Sequence, residues 1–129
     1  MKRDTRSNRP GPRSGRVIVL TLDTMVADAM IVIAGSVRIK AEVREAAVRA
    51  ALAMAEATRR EVGCRAYRFS SDLADPMLVY IHEEWESAEA LERHFATPHM
   101  AEFRGRLPEL VAGPAAIMRY EVTSAAAMG

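Results

Sequence analysis

A single cysteine, Cys64, stands in this chain of 129 residues, so no intrachain disulfide can form. Histidine is nearly as scarce, with only His82, His94 and His99. Neither CxxC nor HExxH spacing occurs, which argues against a structural metal. Long apolar runs are missing too. Nothing approaches the roughly 20 apolar residues that span a bilayer. Val17 to Leu20 is too short for a signal-peptide core. The expectation is a cytoplasmic protein with no membrane contact.

What is present is an ordinary globular composition, 50% apolar and 27% charged. The length suits one domain with a real core. The net charge of +1 hides an asymmetry. Residues 1–16 hold six of the 18 cations (Lys2, Arg3, Arg6, Arg9, Arg13, Arg16) and one anion, Asp4. A basic tail on an acidic domain is one signature of nucleic-acid binding. This tail lacks aromatics to stack on bases, and its Pro, Gly, Ser and Asn content suits disorder better. No nucleic-acid partner is expected.

Residues 1–29 therefore read as a disordered basic extension, within which Val17 to Leu22 could form an edge strand. Met25 and Met30 are both candidate starts, so the tail is read as an upstream extension. Mass spectrometry of the native protein checks this.

The strong pattern begins at Met30. Ile31 to Ile39 is β-branched and apolar, which predicts a strand. Residues 42–61 are strong helix formers, with Val43, Ala47, Ala50, Met54 and Ala57 as an apolar stripe. Gly63 is read as the C′ stop of that helix. Cys64 to Ser70 predicts a second strand. A turn at 71–76 follows, then a third strand from Met77 to Trp85. Both faces of that strand carry apolar residues, so both should be covered, one by helices and one by another subunit. Ser87 caps a helix through about Ala96, and Pro98 breaks it. A further helix runs from about His99 to Leu107, perturbed or ended by Pro108. Gly113-Pro114 turns the chain into a last strand, Ala115 to Val122. Residues 124–129 should fray. The order β-α-β-β-α-(α)-β is the α+β, ferredoxin-like split βαβ arrangement.

Within that frame lie Glu61-Val62-Gly63-Cys64, Tyr67, Asp75-Pro76, Glu83-Glu84-Trp85-Glu86-Ser87, Ala90-Leu91, His94-Phe95, Thr97-Pro98-His99-Met100 and Phe103. In this order and spacing they resemble the antibiotic biosynthesis monooxygenase family, and the resemblance covers residues 30–123. It implies a homodimer whose two sheets close into an α+β barrel, with a pocket in each subunit between sheet and helices. It implies further that a small aromatic substrate, a quinol or polyphenol, is oxidised by dioxygen with no cofactor and no metal. Other members degrade haem or isomerise small phosphorylated sugars, so a non-oxidative isomerase or a ligand-binding module is the alternative. The haem branch uses an Asn, a Trp and a His at positions that hold Ser36, His94 and Arg104 here. Arginine is no haem ligand, which disfavours that branch.

Cofactor-free oxygenation requires a base, an apolar cavity and polar groups that hold the substrate anion. His94, beside Leu91 and Phe95, is the candidate base, since its ordinary pKa suits proton transfer near neutrality. It equally fits a packing role at the helix end. Trp85 reads as a core residue or a pocket wall, on the helix side with Glu83. Glu83 is costly to bury alone, so an arginine partner or a turn-capping role is expected for it. His82 faces the presumed interface, and His99 reads as a terminal polar residue. Cys64 reads as a small buried hydrophobe. Tyr67 and Arg38 are candidate donors to an oxyanion. Ser36, Phe95, Phe103 and Arg104 complete the expected pocket.

Overall fold

The structure is a computed structural model and describes residues 29–129. The basic segment and the reading of Val17 to Leu22 lie outside the described residues. Four strands, β1 (Met30–Arg38), β2 (Cys64–Ser71), β3 (Leu78–Trp85) and β4 (Ala116–Val122), form one sheet in the order β2-β3-β1-β4. All three pairings are antiparallel. The helices are α1 (Arg44–Arg59), α2 (Ala88–Phe95) and α3 (Pro98–Leu110). The fold is thus the ferredoxin-like α+β arrangement expected from the element order.

Alternation along the strands decides which side chains meet the helices. Ile31, Ile33 and Val37 of β1, Tyr67 and Phe69 of β2, and Ile81, Glu83 and Trp85 of β3 point to the helix side. Their alternates, Val32, Ala34, Ser36, Leu78, Tyr80 and His82, point to the other side. There Met118 and Tyr120 of β4 lie opposite Ala34 and Val32. Two apolar clusters fill the helix side. One gathers Ile31, Met54, Tyr67, Trp85 and Leu91; the other gathers Ile39, Ala47, Ala50 and Leu110.

Several local readings need correction. Residues 41–43 form a 3-10 turn, and α1 begins only at Arg44. The helix ends at Arg59, so Gly63 is not its C′ residue. Gly63 instead sits three residues beyond the cap residue Arg60 at φ +92°, where it opens β2. A Cβ there would also fall 2.5 Å from the Ala90 Cβ, so glycine lets α2 press against this turn. The buried stripe of α1 drifts to Thr58 rather than Ala57. Pro98 does not merely interrupt a helix. It takes the first-turn position of α3, where its missing N–H costs nothing, and Thr97 caps that helix. Pro108 is carried inside α3, which runs on to Leu110.

Candidate functional site

The Trp85 end of the sheet carries most of the titratable groups singled out in the sequence. Ser87 caps α2 by accepting a hydrogen bond from the Ala90 N–H at 3.1 Å, which starts the helix immediately after β3. The helix then buries Ala90, Leu91 and His94 on one face. His94 is 1% exposed, and its ring lies 4.8 Å from that of Trp85 and 5.7 Å from that of Tyr67.

The chain turns at Thr97, whose hydroxyl donates to the His94 carbonyl at 2.7 Å and accepts from the Met100 N–H at 3.2 Å. One side chain thereby closes α2 and opens α3. This fixed corner brings His94 and His99 to a common partner, Glu61, in the turn between α1 and β2. His94 Nδ1–H donates to Glu61 Oε2 at 2.8 Å, and His99 Nε2–H donates to the same oxygen at 2.6 Å. A carboxylate only accepts, so each imidazole must carry its proton on the nitrogen that faces Glu61. In neutral His94, Nε2 is then the basic nitrogen.

Glu83 lies on the same side. Its expected arginine partner is absent among the described residues, and it caps no turn. It accepts from the Trp85 indole N–H at 2.8 Å, two residues along its own strand. Burial pushes its carboxyl up to about 6, the Trp85 hydrogen bond opposes that rise, and the Glu61 charge adds to it. Burial, then the charges of Glu83, Cys64 and Glu61, pushes the Tyr67 phenol well above its ordinary value, so Tyr67 stays a neutral donor. Cys64 is half-buried beside the core, and burial followed by the Glu61 and Glu83 charges raises its thiol. It is no nucleophile near neutrality.

A cavity of about 150 Å³ opens further along the helix side, between α1, α3 and the sheet. Its walls are largely apolar and include Val37, Phe69, Val79, Phe103, Leu107 and Val111. A smaller cavity of about 100 Å³ lies between α1 and α3, with His99, Glu102 and Arg106 on its wall. Phe103 lines both.

The expected pocket residues therefore fall into separate groups. Phe103 is on the cavity wall. Tyr67, Trp85 and His94 pack together behind it and line neither cavity. A file of rings links the two: Phe103 lies 5.9 Å from Phe69, Phe69 5.5 Å from Tyr67, and Tyr67 5.7 Å from His94. Phe95 projects outward at 46% exposure, and Arg104 is exposed. Ser36 points to the opposite side of the sheet from Val37. Arg38 lies about 23 Å along β1 from Ile31, at 3.3 Å per residue, and pairs with Asp75 at 2.8 Å. Neither is brought near His94. Glu61 and His99 are the functional candidates that local sequence reading passed over. His82 lies on the open side, bound to Glu84 at 2.8 Å.

No helix among the described residues is long and apolar enough to cross a membrane. The model of the antibiotic biosynthesis monooxygenase family matches residues 30–106. An uncharacterised protein of Synechocystis is 34% identical over 103 residues, covering 80% of this chain and 70% of the relative. Rv0793 of Mycobacterium tuberculosis is 38% identical over 72 residues. Its solved structure superposes with a TM-score of 0.71, covering 77% of this chain and 100% of that one, at 24% identity. A Deinococcus radiodurans structure superposes equally well, with a TM-score of 0.71 at 29% identity, covering 77% and 98% of the two chains. The family match spans β1 through most of α3, the elements that carry Glu61, Tyr67, Trp85, His94 and His99, and the chain belongs to the antibiotic biosynthesis monooxygenase family.

Proposed function

We propose that this protein is a cofactor-independent monooxygenase that oxidises a small aromatic quinol or polyphenol with dioxygen in the cytoplasm. The observation that carries the reading is the apolar cavity walled by Phe69 and Phe103, joined through Tyr67 to the buried His94–Glu61 pair. Aromatic walls suit a planar ring. The cavity has no cationic wall residue, which favours an aromatic over a phosphorylated substrate.

The chemistry follows from the groups at hand. The quinol ring packs in the cavity against Phe69 and Phe103, and a side-chain shift of Phe69, the ring between the cavity and Tyr67, admits a substrate hydroxyl to Tyr67. The neutral Tyr67 hydroxyl passes its own proton to His94 Nε2 and takes the substrate's proton in return. Glu61 stabilises the imidazolium through Nδ1–H. The resulting phenolate is electron-rich enough to reduce dioxygen directly. Oxygen joins a ring carbon, and loss of water leaves a quinone. One oxygen atom stays in the product and the other leaves as water, with all four electrons that dioxygen takes up drawn from the substrate.

Oxygen uptake by metal-stripped protein with a panel of hydroquinones and anthrone-like phenols tests this. Uptake above autoxidation that collapses in His94→Ala and falls in Tyr67→Phe is expected. Uptake that is indifferent to both substitutions contradicts the relay.

The open side of the sheet completes the proposal. Tyr80, Met118 and Tyr120 expose 40%, 59% and 49% of their surface there, around Val32 and Ala34. A second copy of the chain covers this side in the proposed homodimer. Light scattering that finds a monomer at micromolar concentration contradicts it.

A further inference from the structure

We infer that Glu61, His94 and His99 form a binding site for one first-row divalent transition metal ion, of the zinc and cobalt class. The ligand atoms, Glu61 Oε2, His94 Nδ1 and His99 Nε2, all lie within 4.8 Å of one another. A tetrahedral ion with bonds near 2.1 Å has its ligand atoms about 3.4 Å apart. The observed nitrogen–oxygen separations of 2.8 and 2.6 Å are shorter than that. Withdrawal of the carboxylate by less than about 1 Å opens the space, and the two imidazole nitrogens, which lie within 4.8 Å of each other, close to about 3.4 Å as the metal takes the place of the two N–H hydrogens that now point at one oxygen.

Two imidazoles and one carboxylate are a borderline set that favours zinc, cobalt or nickel over magnesium or calcium. The frame is already built. Thr97 clamps the corner between the two histidines, and Glu61 N–H donates to the Thr58 carbonyl at 2.9 Å, which fixes the turn. Exposure rises across the set, from 1% for the His94 side chain through 13% for Glu61 to 27% for His99. An ion therefore enters from the His99 side. The small cavity lies there and leaves room for a water ligand. Glu102, one helical turn beyond His99, borders the same space and offers a further carboxylate.

Occupation has a chemical consequence. A metal on His94 Nδ1 moves the imidazole proton to Nε2, so the nitrogen proposed as the base becomes a donor. Metal binding then inhibits oxygenation. That consequence rests on the proposed function, whereas the metal site does not.

The test uses the untagged full chain after chelator treatment. Calorimetry with Zn²⁺ and visible absorption with Co²⁺ are expected to show one ion per chain, bound at micromolar strength or tighter, with the bands of low-coordinate cobalt. In His99→Ala and in Glu61→Gln the affinity falls about a hundredfold or more, since even outer partners of a metal site contribute about 10–100-fold. Circular dichroism checks that each variant is folded. The wild type supplies an independent readout, because bound Co²⁺ shifts the ring proton signals of His94 and His99 and leaves those of His82 in place. No stoichiometric binding by the wild type overturns the inference. So does unchanged affinity in folded His99→Ala, or a cobalt shift at His82 instead. Zinc that binds at this site without slowing oxygen uptake supports the metal site and removes His94 from the chemistry.

Discussion

Glu83→Gln isolates the cost of holding a carboxylate beside the core. Glu83 is 6% exposed, and its carboxyl sits at about 6 rather than 4.5 because burial disfavours the charged form. The native state then binds more protons than the unfolded chain between those two values. Stability from this group is fully present below about 4.5 and is lost as the pH rises through about 6. A rise of about 1.5 units corresponds to about 2 kcal/mol. Glutamine keeps a carbonyl oxygen for the Trp85 indole but cannot ionise. Urea unfolding of both proteins at about pH 4 and about pH 7.5, followed by the fluorescence of the single Trp85, yields two pH-dependent differences. All other titrating groups cancel between the two proteins, and so does any fixed cost of the amide. The wild type should lose about 2 kcal/mol relative to Glu83→Gln between the two pH values. A difference near zero, or a relative gain by the wild type, refutes the account of Glu83.

Thr58 is fully buried on α1, and its hydroxyl has no partner among the described residues. Thr58→Val removes that unsatisfied group at nearly constant volume, and urea unfolding should show a gain of about 1 kcal/mol. Gly35→Ala should act in the opposite direction. A Cβ there falls 2.1 Å from the Ala116 carbonyl oxygen and 2.5 Å from the Ile117 Cα, both backbone atoms of β4 or next to it. Forcing β4 off β1 should cost about 3 kcal/mol or more, with loss of hydrogen-exchange protection along β4. Thr97→Ala removes both the α3 cap and the tie to the His94 carbonyl. It should lower stability by about 1 kcal/mol and broaden the His94 and His99 ring signals in NMR spectra.

The element order was legible because its signals are local. β-branched and apolar runs marked the strands, Ser87 announced the α2 cap, and the alanine-rich stripe announced α1. Alternation also placed Glu83 and Trp85 on the helix side. Applied to β1, the same rule separates Ser36 from Ile31, Ile33 and Val37, so the resemblance-based placement of Ser36 in a pocket ran against the period of the strand. The Glu61–His94–His99 cluster was not legible. Its members are 33 and 38 residues apart in pairs, and only the packing of the α1–β2 turn against the Thr97 corner brings them together. Burial of His94 could be read from its helix face, but its separation from the cavity could not. That separation depends on how the rings of Tyr67, Phe69 and Phe103 fill the space. The outward position of Phe95 has the same origin, since adjacent residues on a short helix cannot share one buried face.

The central claim is oxygenation driven by the substrate's own electrons, and labelled dioxygen tests it most directly. Metal-stripped protein is incubated with a hydroquinone that supports uptake, under ¹⁸O₂, and the quinone is analysed by mass spectrometry. The account predicts one labelled oxygen per product molecule and label in the water released, with no added reductant. A product that carries only unlabelled oxygen, or turnover that appears only when a metal is restored, contradicts it.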